Sequence, residues 1–128
     1  MRSTAEVLAH HFECFANRDL DGIAADYAAD ALFFTPDGVL HGPEAIRGVF
    51  EKLLSEFAKP GASITSKKRL IEGEYVYSVF TAETPDNSYE LASDVFVVRN
   101  GSIQMQAFIA KVQPKSDTVR LQTPKTNR

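Results

Sequence analysis

The chain has 128 residues and 14.1 kDa, enough to bury about two-thirds of its unfolded surface around one core and too little for a second catalytic domain. Hydrophobic residues make up 44% and charged residues 24%, which excludes wholesale disorder and collagen-like or coiled-coil architectures. Fourteen Lys and Arg against seventeen Asp and Glu leave a net charge of −3 and no broad cationic surface, so nucleic acid is not an expected partner.

Ser3 followed by Glu6 is a capping-box pattern, and Val7, Leu8, His11, Phe12 and Phe15 recur at helical spacing behind it. That spacing predicts a first helix running to about Asn17. Asp19 then caps a shorter helix in which Leu20, Ile23, Ala24 and Tyr27 form the apolar stripe, with Asp21, Asp26 and Asp30 left in water. Residues 31–35 read as a brief aromatic strand closed by the turn Thr35-Pro36-Asp37-Gly38. Gly42-Pro43-Glu44 opens a third helix, whose buried stripe of Ile46, Val49, Phe50, Leu53 and Phe57 is stopped by Pro60-Gly61.

Beyond Gly61 helical periodicity gives way to β-rich runs at 64–71, 75–84, 89–98 and 102–112. The connections Glu72-Gly73-Glu74, Pro85-Asp86-Asn87-Ser88 and Asn100-Gly101 predict a strongly twisted antiparallel sheet. Residues 1–113 form one domain on this reading, and the polar residues 114–128 form a mobile tail. The fold class is α+β: three helices packed on a strongly curved antiparallel sheet, whose concave face they close over a cavity. No stretch approaches the ~20 apolar residues of a membrane span and residues 1–6 lack a secretory pattern, which predicts a cytoplasmic protein without a membrane partner. Cys14, the single cysteine, forms no intrachain disulfide and suits a reducing compartment.

Asp19-Leu20-Asp21-Gly22-Ile23, Tyr27-Ala28-Ala29-Asp30-Ala31, Pro36-Asp37-Gly38, Gly42-Pro43-Glu44-Ala45-Ile46 and Asn100-Gly101-Ser102-Ile103 resemble the nuclear transport factor 2-like superfamily. The resemblance covers residues 3–112 and is strongest to the SnoaL-like and ketosteroid isomerase-like branch. It implies a cone-shaped fold, an apolar pocket and a homodimer through the outer sheet face. Superfamily members include isomerases, polyketide cyclases, dehydratases, epoxide hydrolases, transport factors and association domains, so fold does not select an activity.

The candidate site is read residue by residue. His11 falls where ketosteroid isomerases place an oxyanion-hole tyrosine, and its position on the apolar stripe also turns it inward. Thr35 stands before Pro36 where the isomerases carry their aspartate base; a threonine hydroxyl does not take a carbon acid's proton near neutral pH, which argues against a standard ketosteroid isomerase. Asp94 matches the protonated acid of the isomerase oxyanion hole, and its alternation with Phe96 and Val98 sets a carboxyl among apolar groups, where desolvation raises its pKa. On the last strand Gln106 is placed to orient a ligand carbonyl, and the inward acid that epoxide hydrolases and cyclases often carry near Phe108 is missing. Outward-facing Met105 and Ile109 on the same strand would need cover, which suits the homodimer.

His11 and Asp94 are thus the candidate catalytic residues, and Phe12, Phe15, Tyr27, Thr35, Phe50, Phe57, Phe96, Gln106 and Phe108 the candidate ligand pocket. His10 and Cys14 lie one helical turn apart without a third ligand, so no metal site is expected; no phosphate-binding glycine loop occurs, and no cofactor is implied. The expected partner is a small apolar molecule, with proton transfer next to a carbonyl, of isomerase or cyclase type, as the candidate reaction. The alternative is a noncatalytic dimeric module whose pocket is filled by its own aromatics.

Overall fold

The computed structural model describes residues 1–115. Helix α1 (Thr4–Ala16) begins as its sequence dictates: the Glu6 backbone N–H donates to Ser3 Oγ at 3.1 Å, and the Ser3 N–H donates to the Glu6 carboxylate at 2.7 Å. Asp19 caps α2 (Leu20–Ala25) by accepting from the Gly22 N–H at 2.9 Å. Gly22 is required by close approach, since a Cβ there would lie 2.5 Å from the Asp19 carboxylate and 2.6 Å from Cys14 Sγ.

Helix α2 stops earlier than its stripe predicts, and Tyr27 opens strand β1 (Tyr27–Thr35) instead of completing a helical face. The cause is tertiary. The Ile103 N–H donates to the Asp26 carbonyl at 2.7 Å, so an oxygen that a longer helix would use internally is taken by a strand distant in sequence. The turn at Pro36-Asp37 leads into a short β2 (Gly38–His41), and α3 (Gly42–Phe57) follows with Pro43 in its first turn. Strands β3 (Ser63–Glu72), β4 (Tyr75–Glu83), β5 (Asn87–Arg99) and β6 (Ser102–Pro114) complete a six-stranded, unclosed sheet in the order β2-β1-β6-β5-β4-β3.

One pairing departs from the antiparallel expectation: β1 runs parallel to β6, with Phe33 opposite Gln106. No tight turn joins these two strands, so no hairpin geometry forces them to oppose, and the sheet is mixed at this one seam. Strand β6 runs one residue past position 113, where the sequence predicts the domain to end. Pro114 is the last residue of β6, and Lys115 is tied to the fold by its N–H donating to the Asp86 carbonyl at 2.8 Å and its Nζ lying 2.6 Å from Glu83. The remainder of the predicted tail lies outside the described residues.

Helices α1 and α3 cover the concave face. Val7, Leu8, Ile46 and Phe50 meet Phe33, Phe96, Val98 and Ile103 of the sheet in one core. The convex face is left with exposed apolar side chains, among them Leu70, Tyr77, Leu91 and Ile109. Among the described residues no helix is long and apolar enough to cross a membrane.

Candidate functional site

Packing two helices against a curved sheet leaves a cavity of about 580 Å³ between α1, α3 and the inner sheet face. His11, Phe12 and Phe15 of α1, Thr35 of β1, Phe50 and Phe57 of α3, and Asp94, Phe96, Gln106 and Phe108 of the sheet all line it. Of the residues singled out from sequence, only Tyr27 is not on the wall; it is buried behind Gln106. Leu40, Ser78 and Arg69 also line it without having been singled out from sequence, Arg69 because β3 is interrupted by a bulge between Ser66 and Lys68 that a single sequence does not mark.

Asp94 reaches the cavity because a register shift between Tyr89 and Leu91 resets β5, after which Ala92, Asp94, Phe96 and Val98 all turn inward. Its side chain is 8% exposed. Gln106 Nε2 donates to Asp94 Oδ1 at 2.9 Å, and the Tyr27 hydroxyl donates to Gln106 Oε1. This chain fixes the amide orientation: with Oε1 occupied by Tyr27, the Gln106 NH2 faces the carboxyl and leaves Oδ2 for a ligand. Burial pushes the Asp94 carboxyl up to about 6, against the opposing pull of the Gln106 hydrogen bond and of His11. Burial likewise holds the Tyr27 phenol well above its usual range, so it remains a donor.

His11 is enclosed by rings, with Phe12, Tyr27, Phe50 and Phe96 edge-on at centroid distances of 5.5–5.8 Å. Its Nδ1 has no hydrogen-bond partner and lies 3.8 Å from Asp26 Oδ2, an electrostatic contact longer than a hydrogen bond. Asp26 is the main correction to the sequence reading. Assigned to water by helical phase, it is 1% exposed, because at the C-terminal cap of α2 its carbonyl is taken by Ile103 and its carboxylate is covered by Arg2, His10 and His11.

Asp26 is nonetheless well satisfied. Arg2 Nη1 donates to Oδ1 at 2.9 Å, and His10 Nδ1 lies 2.8 Å from Oδ2. Burial alone would raise its pKa, but the His11 and His10 imidazoles and the Arg2 guanidinium outweigh burial and hold the carboxyl below the usual aspartate value. The site therefore contains two buried carboxyls driven in opposite directions, Asp26 down and Asp94 up, and the nearby His11 imidazole favours the ionised form of both.

Thr35 borders the cavity with its hydroxyl already engaged, donating to the Gly38 carbonyl and accepting from the Asp37 N–H, both at 3.1 Å. It is a turn residue, as its sequence context implies. Cys14 Sγ lies 3.4 Å from His10 Nε2, but burial pushes the thiol above its usual pKa, which leaves it without thiolate character.

Three solved structures place this architecture among known folds. A nuclear transport factor 2-like protein of unknown function from Cytophaga hutchinsonii superposes with a TM-score of 0.71 at 14% identity, covering 87% of this chain and 92% of its own. A provisionally assigned ketosteroid isomerase from Kribbella flavida gives 0.69 at 14% identity over 98% and 90%. A provisionally assigned polyketide cyclase from Sinorhizobium meliloti gives 0.68 at 13% identity over 80% and 93%. At such identities the likeness is one of fold alone. No curated protein matches the sequence at a significant level. The SnoaL-like domain family, by contrast, matches residues 8–105, a span that includes both His11 and Asp94, and the chain belongs to that family.

Proposed function

We propose that the cavity binds a flat apolar carbonyl compound and promotes proton transfer next to its carbonyl group. The observation that carries this reading is the presence, in one apolar cavity, of a buried carboxyl and a buried imidazole in different electrostatic settings. In its protonated form Asp94 donates from Oδ2 to the ligand oxygen and stabilises the charge that develops there on enolisation. His11 Nδ1 is the enclosed nitrogen, which leaves Nε2 to accept the proton from the adjacent carbon and return it to the product. The ionised Asp26 stabilises the imidazolium so formed. The proton that leaves carbon is carried by His11 and is returned either directly or after exchange with solvent at the imidazole, so the step balances and also permits isotope uptake.

Thr35 cannot supply the base, so this assignment differs from that of the steroid isomerases. The open cavity of about 580 Å³ weighs against a module whose aromatics fill their own pocket. Two of the similar structures carry isomerase and cyclase names, which agrees with the reaction class without choosing a substrate.

The test is deuterium exchange at C1 of 2-tetralone in heavy water, followed by proton NMR. The native protein is expected to accelerate exchange, and His11→Ala and Asp94→Asn each to lose about a hundredfold or more of that acceleration. Saturable binding without acceleration would refute catalysis and leave a binding module. Acceleration undiminished in both variants would refute the residue assignment.

A further inference from the structure

Continuous with the cavity lies a second, more open groove that shares Phe12, Phe15, Phe57, Ile64, Ser66 and Arg69 with it. The groove adds Arg18 and Ser63 to the shared wall. Arg18 and Arg69 line it together with Ser63 and Ser66, and no carboxylate among the described residues does. Neither arginine is paired with an acid among the described residues, whereas the other three described arginines, Arg2, Arg47 and Arg99, all are. In a chain of net charge −3, two guanidiniums without an acid partner among the described residues, at the rim of an apolar cavity, form a local feature rather than part of a cationic surface.

The backbone directs both side chains to this place. In β3 the pairing with β4 shifts between Ser66 and Lys68, so Lys67 is an extra residue. Without that bulge Ser66 and Arg69, three positions apart, would point to opposite faces; with it both line the cavity. Arg69 then lies over the face of Phe12, with its guanidinium carbon 4.2 Å from the ring centroid, at the boundary between cavity and groove. Arg18 projects from the tight α1–α2 turn with φ at 56°, one of two described residues other than glycine in the left-handed region.

We propose that this groove is the anion-binding end of the ligand site, and that the ligand is an apolar acid. Its ring system lies in the cavity with an oxygen toward Asp94, and its carboxylate lies between Arg18 and Arg69. The inference rests on the cavity being a ligand site, as proposed above, and adds the substrate class. Guanidiniums hold carboxylates through paired N–H donors and stay charged at every relevant pH. Both arginines are exposed, so the attraction is screened and the expected selectivity is moderate and sensitive to salt.

Two probes with the same ring system separate the two claims: 2-naphthol, which is neutral, and 6-hydroxy-2-naphthoate, which adds a carboxylate at the far end. Titration calorimetry of the native protein at low salt is expected to show the acid binding about tenfold or more tightly, with the preference shrinking as salt is added. The double variant Arg18→Gln/Arg69→Gln is expected to lose that preference, and the charge-conserving Arg18→Lys/Arg69→Lys to keep most of it. Binding of 2-naphthol with no gain for the acid would overturn the anion site and leave the cavity reading intact. A preference surviving in the glutamine variant would also overturn it, because the carboxylate would then be held elsewhere. Binding of neither probe would overturn the cavity reading and this inference with it.

Discussion

Asp94→Asn removes the charge from the most consequential buried acid while keeping its shape and its hydrogen bond from Gln106. The folded-state pKa of Asp94 is raised from 3.8 to about 6, chiefly by burial, so the native state holds a proton that the unfolded chain releases. At about 1.4 kcal/mol per tenfold in proton affinity, this difference corresponds to about 3 kcal/mol. Its sign follows from the direction of the shift. The favourable contribution is fully present below pH 3.8, falls as pH rises through the window up to about 6, and is gone above it. Water entering the cavity screens part of the penalty, which makes about 2–3 kcal/mol the expected span. Urea unfolding followed by circular dichroism between pH 3.5 and pH 7.5 measures it, with the linear extrapolation applied at each pH (about 1–3 kcal/mol per molar urea). The native protein should lose that amount relative to Asp94→Asn between the two ends of the series. Parallel profiles, or a native protein that gains on the variant as pH rises, would refute the claim that Asp94 is ionised at a cost in a buried site.

Asp26 should behave in the opposite sense: its lowered pKa gives stability that is present above 3.8 and lost as pH falls through its folded-state value, and Asp26→Asn should flatten that acid limb in the same unfolding series. Because Arg2 and His10 are each more than a third exposed and can rehydrate, the cost of Asp26→Asn at neutral pH is expected to be about 1–3 kcal/mol. Gly22→Ala should destabilise by about 1–3 kcal/mol through overpacking against Cys14, and Cys14→Ala in the same chain should recover part of the loss in a double-mutant cycle. We expect a homodimer through the convex face, where Tyr77 is 44% and Ile109 63% exposed; sedimentation should show the dimer, and Tyr77→Glu/Ile109→Glu should yield a folded monomer. A native protein that stays monomeric at the highest accessible concentration would show that this face is covered in another way.

Much of the site was legible because strong local patterns carried it. Ser3 and Glu6 set the phase of α1, and that phase turns His11 inward with Phe12 and Phe15. Alternation in β5 placed Asp94 beside Phe96 on a buried face, and from burial alone a raised pKa followed. The hairpin signal at Asn100-Gly101 fixed the junction of β5 and β6, with Asn100 at φ 55° and Gly101 at φ 76°.

What local pattern does not carry is where a helix yields to a sheet and where a strand changes phase. Asp26 reads as a solvated helical residue until the Ile103 N–H claims its carbonyl across 77 positions and its carboxylate is enclosed by Arg2, His10 and His11. Tyr27 shifts for the same reason from a helical stripe to a strand behind Gln106. Arg69 enters the site only because β3 bulges against β4. The sequence by itself determined the elements and the inward faces of most of them, since these follow from periods of 3.6 and 2 within a few residues. The tertiary structure alone decided the electrostatics of Asp26, because the charge state of a carboxyl buried among partners depends on neighbours supplied by other segments, here Arg2, His10 and His11, far away in the chain.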